Sequence, residues 1–338
     1  MKIAILSFDH LHATEYAAAL RTAEGVELLA ADPGHESRPP GEPGGPGLAA
    51  ELGVAYAEDY EAVWRWRPDA VVICSENRGH RELVLRAAAE GVHILCEKPI
   101  GIRSDEAAEM VAAAEAAGVV LMTAFPVRFS PAYAELRSTV RSGLLGQIVS
   151  IAATNCGGLP IGLRSWFVDR ERSGGGAITD HVVHVADLLA DLLGAAPEDV
   201  YAVANSLPQG GAIPVETGAL LSLRYPEGVI ASIDCSWSKP KGVPDSGDLV
   251  TLTVIGTDGV AEISPFAGVT SGWSAASGPI TLSHVVPLDE MLIATFLDAV
   301  RRETRGTEPS GRAGLRAVEV VDAAYRSLRS GEPERVGA

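Results

Sequence analysis

Short, predominantly apolar runs alternate with alanine-rich stretches through the first third of the chain, and this alternation is the feature that most constrains the fold. The apolar runs lie at residues 3–6, 26–31, 70–74, 93–96 and 119–123. Strands of this kind are buried on both faces, as in a parallel sheet with helices on each side. Helical stretches separate them, at residues 13–23, 48–52, 60–66 and 81–90, and a further one begins near residue 104. The sequence therefore predicts an α/β domain built on a doubly wound parallel sheet.

Beyond residue 150 the alternation gives way to successive strands. Strand-like segments lie at residues 147–155, 217–225, 229–237 and 249–255, and helical ones at 177–193, 290–302 and 315–328. Gly228 and Gly259 end short turns of the kind that joins antiparallel strands. We expect two domains: residues 1–124 form the dinucleotide-type α/β domain, and residues 125–338 form an α+β domain with a large, mainly antiparallel sheet. Whether the last helix packs back on the first domain stays open.

The charge balance argues against two classes of partner. Asp and Glu number 44 against 27 Lys and Arg, a net charge of −17. Such a surface repels nucleic acid and anionic membranes unless it carries a basic patch, and the arginine clusters here are interrupted by glutamates. The four cysteines form no Cys-x-x-Cys pair, which argues against a disulfide scaffold or a cysteine zinc site. Only four aliphatic residues follow Met1 and Lys2, too few for a signal peptide, so we expect a cytoplasmic protein.

The turn after the first strand is the usual dinucleotide site of a doubly wound sheet, and here it lacks the usual glycines. The positions of a Gly-x-Gly-x-x-Gly pattern are taken by Ser7, Asp9 and His12. The turn by itself therefore does not predict a dinucleotide. Asp32, which ends the second predicted strand, favours one, because a carboxylate there accepts a hydrogen bond from a ribose hydroxyl. The alternative is that Asp32 is a turn-forming residue before Pro33.

Proline and glycine dominate residues 33–47. This composition predicts a loop, to which the sequence assigns no chemistry. Arg38 lies within that loop, six residues after Asp32, and could fold back on it.

His10 and His12 form a His-x-His pair directly after the first strand, as in metal-dependent hydrolases. With His181 and His184 the pair could build a zinc site. The alternative is that both histidines are solvated or cap the turn. We identify no further strand-end carboxylate or histidine set that completes a ligand shell, and therefore expect no metal.

Two segments carry groups suited to proton transfer. Glu97-Lys98-Pro99 follows a strand, where a lysine beside a carboxylate can hold a substrate oxygen and help to move its proton. Residues 174–184 combine three glycines, which would let the backbone approach a ligand, with Asp180 and His184 on one helical face. His184 suits acid/base work near neutral pH, whereas His181 lies about 100° round the helix and should not share that role. Taken singly, the first motif is ordinary loop and the second a solvated helix face.

Together these residues resemble the Gfo/Idh/MocA family of NAD(P)-dependent oxidoreductases, which includes glucose–fructose oxidoreductase and inositol dehydrogenase. The resemblance covers nearly the whole chain. Further matching segments are Ser75-Glu76-Asn77 with His80, Arg128-Phe129, residues 143–146 and residues 323–327.

The resemblance implies a Rossmann domain that holds the nicotinamide cofactor and a second domain whose open-faced sheet covers the substrate. It implies that Lys98 binds the reacting oxygen, that Asp180 orients the substrate and that His184 is the general acid/base. The Lys98–Pro99 peptide bond is expected to be cis. The residues expected to line the cofactor are Phe8, His10, Leu11, Asp32, Ser75, Asn77, His80, Glu97 and Lys98.

The expected activity is hydride transfer between the nicotinamide and a secondary alcohol or ketone of a sugar, cyclitol or related polyol, in a homodimer or homotetramer. NAD is expected rather than NADP, because Asp32 would repel a 2′-phosphate, unless Arg38 folds back and reverses the preference. One alternative is NAD-assisted hydrolysis or epimerisation of a glycoside, in which no free NADH accumulates. Another is a non-catalytic sensor that lost turnover with its glycine turn, although the retained Lys98, Asp180 and His184 argue against it.

Overall fold

The structure is a computed structural model that describes residues 1–207, 212–240, 248–266, 269–274, 278–283 and 286–338. The described residues form two large sheets, one parallel and one mixed, and a separate two-stranded hairpin. The change of pattern that the sequence places beyond residue 150 is the change from the first sheet to the second.

A parallel sheet of six strands forms the first domain. Its strands are β1 (Lys2–Leu6), β2 (Glu27–Ala31), β3 (Ala55–Ala57), β4 (Ala70–Ile73), β5 (His93–Cys96) and β6 (Leu121–Thr123). They pair in the order β3-β2-β1-β4-β5-β6. Its helices are α1 (Ala13–Thr22), α2 (Gly45–Leu52), α3 (Tyr60–Trp66), α4 (His80–Ala89) and α5 (Ser104–Ala117). The predicted doubly wound sheet is confirmed. The sequence missed β3 because this edge strand is only three residues long and too short to give a clear pattern.

The strand order of this sheet reverses between β1 and β4, which lie side by side although they are far apart in sequence. Ligands of doubly wound sheets bind beyond the carboxyl ends of the strands at such a point. Asp32 directly follows β2, and Glu97 directly follows β5, so both lie at this edge of the sheet. The edge is therefore where a site is expected.

A second sheet of seven strands forms the core of the second domain. Its strands are β7 (Ile148–Cys156), β8 (Asp199–Asn205), β9 (Gly218–Arg224), β10 (Ile230–Ser236), β11 (Leu249–Gly256), β12 (Val260–Ile263) and β15 (Glu334–Arg335), while β13 (Val269–Ser274) and β14 (Gly278–Ser283) form the separate hairpin. The order is β12-β11-β7-β10-β9-β8-β15, in which only β7 and β10 pair in parallel. The mainly antiparallel sheet is confirmed, although the sequence did not reveal β8, β12 or β15.

The two faces of this second sheet differ in what covers them. The helices of the domain are α6 (Pro131–Arg141), α7 (Arg170–Ser173), α8 (Val183–Leu193), α9 (Leu288–Arg302) and α10 (Gly311–Ser330). One face packs against α8 and α10. The side chains on the other face alternate with the buried ones and are exposed, and the apolar ones are Val149, Tyr201, Val203, Leu220, Ile230, Leu249, Ile255 and Val260.

Both closing helices pack back on the first domain. Leu292 and Phe296 of α9 join the apolar core that contains Ile3 and Tyr16, and α9 contacts α1. Helix α10 contacts α5 and β6 as well as the second sheet. In the described part of the chain, no helix is both long and apolar enough to cross a membrane.

Candidate active site

A lysine from the first domain and an aspartate from the second meet at the carboxyl edge of the parallel sheet. Lys98 follows β5, and Asp180 lies in a π-helical segment, Ile178–Val182, that leads into α8. Lys98 Nζ donates a 2.7 Å hydrogen bond to Asp180 Oδ1, and Trp237 Nε1 donates one of 3.0 Å to Oδ2. Burial by itself would raise the pKa of Asp180, but the Lys98 ammonium holds that pKa below its usual value. The pair is therefore ionised, and it fixes an ammonium group at the junction of the two domains.

His184 lies in the first turn of α8 and is close enough to Lys98 and Asp180 for their charges to act on it. Burial lowers the pKa of His184 to about 3, and the Lys98 ammonium acts in the same direction. Its Nδ1 is buried and has no hydrogen-bond partner among the described residues. The two motifs thus bring together an ammonium group, a carboxylate and an uncharged imidazole with a free nitrogen, as the sequence predicts.

His181 belongs to the same site, which corrects the expectation that it would face elsewhere. Its Nε2 lies 3.5 Å from Asp180 Oδ2, and its Nδ1 lies 2.9 Å from Asn155 Oδ1 and 3.3 Å from Asp248 Oδ2. The expectation assumed an α-helix, whereas the segment is π-helical, a form often found at functional sites. Asn155 lies in β7, Trp237 directly follows β10 and Asp248 directly precedes β11, and no local signal in the sequence marks them.

The three glycines before this segment serve contacts within the protein. A Cβ on Gly175 would lie 1.7 Å from Tyr325 Oη, and one on Gly176 would lie 1.9 Å from the main-chain oxygen of Glu216. Gly176 N–H also donates a 2.9 Å hydrogen bond to Glu216 Oε1. Within the protein, the backbone at these glycines closely approaches Glu216 and Tyr325.

The glycine-poor first turn keeps the backbone of a glycine turn. Ser7 adopts the left-handed conformation, with φ of 71°. The Asp9 carboxylate accepts a 2.8 Å hydrogen bond from Ser7 Oγ and another of 2.8 Å from Arg38 Nε. Arg38 also donates to both oxygens of Asp32, over 2.5 and 2.7 Å, and both side chains are almost fully buried. Residues 33–47, to which the sequence assigned no chemistry, therefore contribute Arg38 to this edge.

Two residues of the second domain donate hydrogen bonds to the backbone of the same turn. Arg164 donates hydrogen bonds of 3.0 Å to the Phe8 carbonyl and 2.9 Å to the Asp9 carbonyl. Trp166 Nε1 donates one of 3.0 Å to the Asp9 carbonyl. Sequence reasoning missed both, because contacts over more than 150 positions leave no local pattern. The second domain therefore helps to fix the backbone of the first turn.

His10 and His12, which belong to this turn, both lie close to Glu97. Glu97 Oε1 lies 3.0 Å from His12 Nδ1 and 3.6 Å from His10 Nδ1, and Tyr16 donates a 2.6 Å hydrogen bond to it. Burial opposes a charge on His12, but the Glu97 carboxylate raises the pKa of His12 to about 9. The sequence did not show that Glu97 contacts these two histidines, and His181 and His184 lie instead in the Lys98–Asp180 site.

The other residues expected to line the cofactor are mostly buried. Asn77 Nδ2 donates a 2.8 Å hydrogen bond to the Ser173 carbonyl, and its Oδ1 has no partner among the described residues. His80 joins two loops, since its ring nitrogens lie 2.8 Å from the Pro99 oxygen and 3.1 Å from the Ser75 oxygen. Phe8 is buried, and Leu11 is partly exposed. The Lys98–Pro99 peptide bond is cis, as predicted.

Protein families, individual sequences and solved structures all include proteins that are similar to this chain. Residues 10–125 match an oxidoreductase family with an NAD-binding Rossmann fold, and residues 133–262 match the GFO/IDH/MocA C-terminal domain. The D-xylose 1-dehydrogenase (NADP(+)) 2 of Haloferax volcanii is 30% identical over 84% of this chain and 86% of its own. The 1,5-anhydro-D-fructose reductase of Ensifer adhaerens is 36% identical over 54% of this chain, and the match spans 58% of the reductase, little more than half of its length. The crystal structure of GenD2 from gentamicin A biosynthesis, in complex with NAD, superposes with a TM-score of 0.85 at 22% identity, covering 100% of this chain and 97% of that one.

Proposed function

The chain belongs to the Gfo/Idh/MocA family of oxidoreductases, whose first domain is an NAD-binding Rossmann fold, and from this we propose that it oxidises or reduces a sugar, cyclitol or related polyol. The reacting group is a secondary alcohol or the corresponding ketone. The observation that carries the proposal is the ionised Lys98–Asp180 pair beside an uncharged, buried His184. Relatives named as a xylose dehydrogenase and an anhydrofructose reductase support the substrate class.

The residues on the nicotinamide side fit the cofactor. Asn77 Oδ1 and His184 Nδ1 are buried polar atoms without a hydrogen-bond partner among the described residues, so each can bind a ligand. On the adenosine side, Asp32 supplies the expected carboxylate, but Arg38 engages both of its oxygens. A ribose hydroxyl can reach Asp32 only if Arg38 moves aside. Arg38 is thus folded back on Asp32, the arrangement that the sequence names as able to reverse the preference for NAD over NADP. We propose that NAD binds with displacement of Arg38, and the comparison of NAD(H) with NADP(H) below tests this.

The charges of Lys98, Asp180 and His184 indicate which of these groups moves a proton. When bound, the nicotinamide supplies the hydride acceptor or donor. Lys98 donates a hydrogen bond to the substrate oxygen and stabilises negative charge that develops there, and Asp180 holds the ammonium group in position. In the oxidation direction, His184 takes the hydroxyl proton, which it can do because it is uncharged at neutral pH. In reduction the proton returns to the same oxygen through His184, whose imidazolium forms only during the transfer.

Separate measurements test the cofactor and the substrate class. Native mass spectrometry before and after denaturation detects a retained dinucleotide, and calorimetry compares NAD(H) with NADP(H). NADH absorbance during incubation with NAD and a panel of cyclitols, aldoses and anhydro sugars detects turnover. Binding of NADH without turnover of any polyol or sugar would refute the substrate class, and failure to bind either dinucleotide would refute the oxidoreductase. Accumulation of product without free NADH would indicate the cofactor-assisted hydrolysis or epimerisation instead.

The open face of the second sheet supports self-association. Eight exposed apolar side chains lie on this one face, and an apolar patch of that kind marks an interaction site. The resemblance implied that the open face covers the substrate, whereas α8, which carries His184, packs against the opposite face. We infer a homodimer or homotetramer in which a second copy covers the open face. Light scattering after size exclusion should show a mass at least twice that of the chain, and Leu220→Glu, in the middle of the face, should lower it. The matched control Leu144→Glu, an exposed leucine outside the sheet, should not.

The cysteines support a cytoplasmic location. All four are free thiols, as expected in a reducing compartment. Cell fractionation with a tagged full-length chain tests this, and recovery in an extracytoplasmic fraction would refute it.

A further inference from the structure

Three potential metal ligands converge where β1 runs into α1. Among the described residues, His10, His12 and Glu97 are the one group of three histidine, cysteine or carboxylate side chains whose ligand atoms all lie within 4.8 Å of one another. The two histidine Nδ1 atoms lie 3.0 and 3.6 Å from the same oxygen, Glu97 Oε1. Ligand atoms at bond lengths of about 2.1 Å from one zinc ion are about 3.0–3.4 Å apart. The group therefore already has nearly the spacing of a coordination shell.

The charges around this cluster favour a cation. Glu97 is fully buried, and the ammonium group of its neighbour Lys98 is committed to Asp180. Asp289, in the first turn of α9, acts electrostatically on His12, and its buried Oδ1 has no hydrogen-bond partner among the described residues. Buried carboxylates are stable only when they are paired, hydrogen-bonded or bound to a metal. A divalent ion bound here would place a positive charge beside the buried Glu97 carboxylate.

The atoms around Glu97 are arranged as they are around a metal ligand. Tyr16 donates a 2.6 Å hydrogen bond to Glu97 Oε1, and the Lys98 N–H donates one of 2.9 Å to Oε2. Partners of this kind orient a ligating carboxylate and raise the affinity of the site. His10 is almost fully buried, and its Nε2 has no partner among the described residues. Its Nδ1 accepts a 3.3 Å hydrogen bond from the His12 N–H, which a metal ion bound at Nδ1 would replace.

We propose that His10, His12 and Glu97 bind one divalent transition-metal ion, with zinc as the representative. Two imidazoles and a carboxylate suit zinc, iron or manganese, whereas magnesium and calcium prefer oxygen ligands alone. The position that a third glycine would occupy in the dinucleotide-binding turn carries His12, whose side chain reaches Glu97. Three protein ligands leave a coordination position open to an oxygen ligand from solvent. The site goes beyond the proposed function, which requires no metal.

Titration of the full-length chain tests the site. The protein is freed of metal with a chelator, and Zn²⁺ is then added in a calorimeter. We expect one ion bound per chain. X-ray absorption of the zinc form should show nitrogen and oxygen ligands with imidazole scattering and no sulfur, which also separates this site from the cysteines.

The variants report on each ligand separately. His10→Ala and His12→Gln should each weaken zinc binding at least about tenfold, and Tyr16→Phe, which removes the hydrogen bond to the ligating oxygen, should weaken it by about tenfold. His93→Gln, a histidine at the start of β5 and outside the cluster, is the matched control and should leave zinc affinity unchanged.

Three results would overturn the proposal: no stoichiometric zinc binding by the wild-type chain, full affinity in both histidine variants, or sulfur in the zinc shell. The first result would indicate that His12 and Glu97 form a metal-free ion pair. The absorption spectrum is measured on the wild-type protein, so it decides the question even if a variant does not fold.

Discussion

His184 is expected to stay uncharged far below neutral pH, and this can be measured. Burial lowers its pKa to about 3, and the nearby Lys98 ammonium adds to the effect. In an unfolded chain the pKa of histidine is about 6.5. Because the folded-state pKa is depressed, the stability linked to His184 is fully present above pH ~6.5 and is lost as the pH falls toward 3.

The size of the effect follows from the two pKa values. At pH 5 His184 is protonated in the unfolded chain but not in the folded protein. The free energy of unfolding therefore falls by about 2 kcal/mol between pH 7 and pH 5. Urea unfolding followed by circular dichroism at both pH values measures this loss. His184→Gln and His184→Asn cannot take up the proton, and both should lose about 2 kcal/mol less stability than the wild type over the same interval.

Nuclear magnetic resonance reports on the ring directly. With histidine-labelled protein, the His184 signal, assigned from its absence in His184→Gln, should not shift between pH 8 and pH 5. A signal that titrates near pH 6.5, or equal pH dependence of stability in the wild type and both variants, would refute the assignment of a buried, uncharged His184.

Three further predictions concern other parts of the site. Lys98→Met should lower kcat by about 10²–10⁴-fold and weaken NADH binding far less than that, and stopped-flow rates with equilibrium titration would separate the two. Gly176→Ala should lower the melting temperature clearly, since its Cβ would lie 1.9 Å from a main-chain oxygen and overpacking typically costs about 1–3 kcal/mol. The matched control is Gly158→Ala, whose Cβ would have nothing within 4 Å, and it should change the melting temperature little. Arg38→Met leaves the buried Asp32 carboxylate without its cation and should lower the free energy of unfolding by about 3–5 kcal/mol, and an unchanged urea midpoint would contradict the buried ion pair.

The parts of the site that the sequence reveals depend on local spacing. The Glu97-Lys98-Pro99 motif follows a predicted strand, and the positions of Asp180 and His184 place both on one side of a helix start. These features depend on a few consecutive residues, so a single sequence reveals them. The π-helical turn altered the outcome for His181, because a wider turn changes which neighbours share a face.

What the sequence by itself determined is the parallel sheet, the change to a mainly antiparallel sheet, and the ends of the strands where Asp32 and Lys98 lie. Apolar periodicity and turn residues encode these features over short stretches. Only the tertiary structure decided that Arg38 covers Asp32, that Arg164 clamps the first turn, and that Glu97 joins His10 and His12. Each of these contacts depends on how separate elements pack and on where buried charges find partners. The physical reason is that a buried charge is stabilised by whichever opposite group the fold brings near it, and sequence distance does not record that proximity.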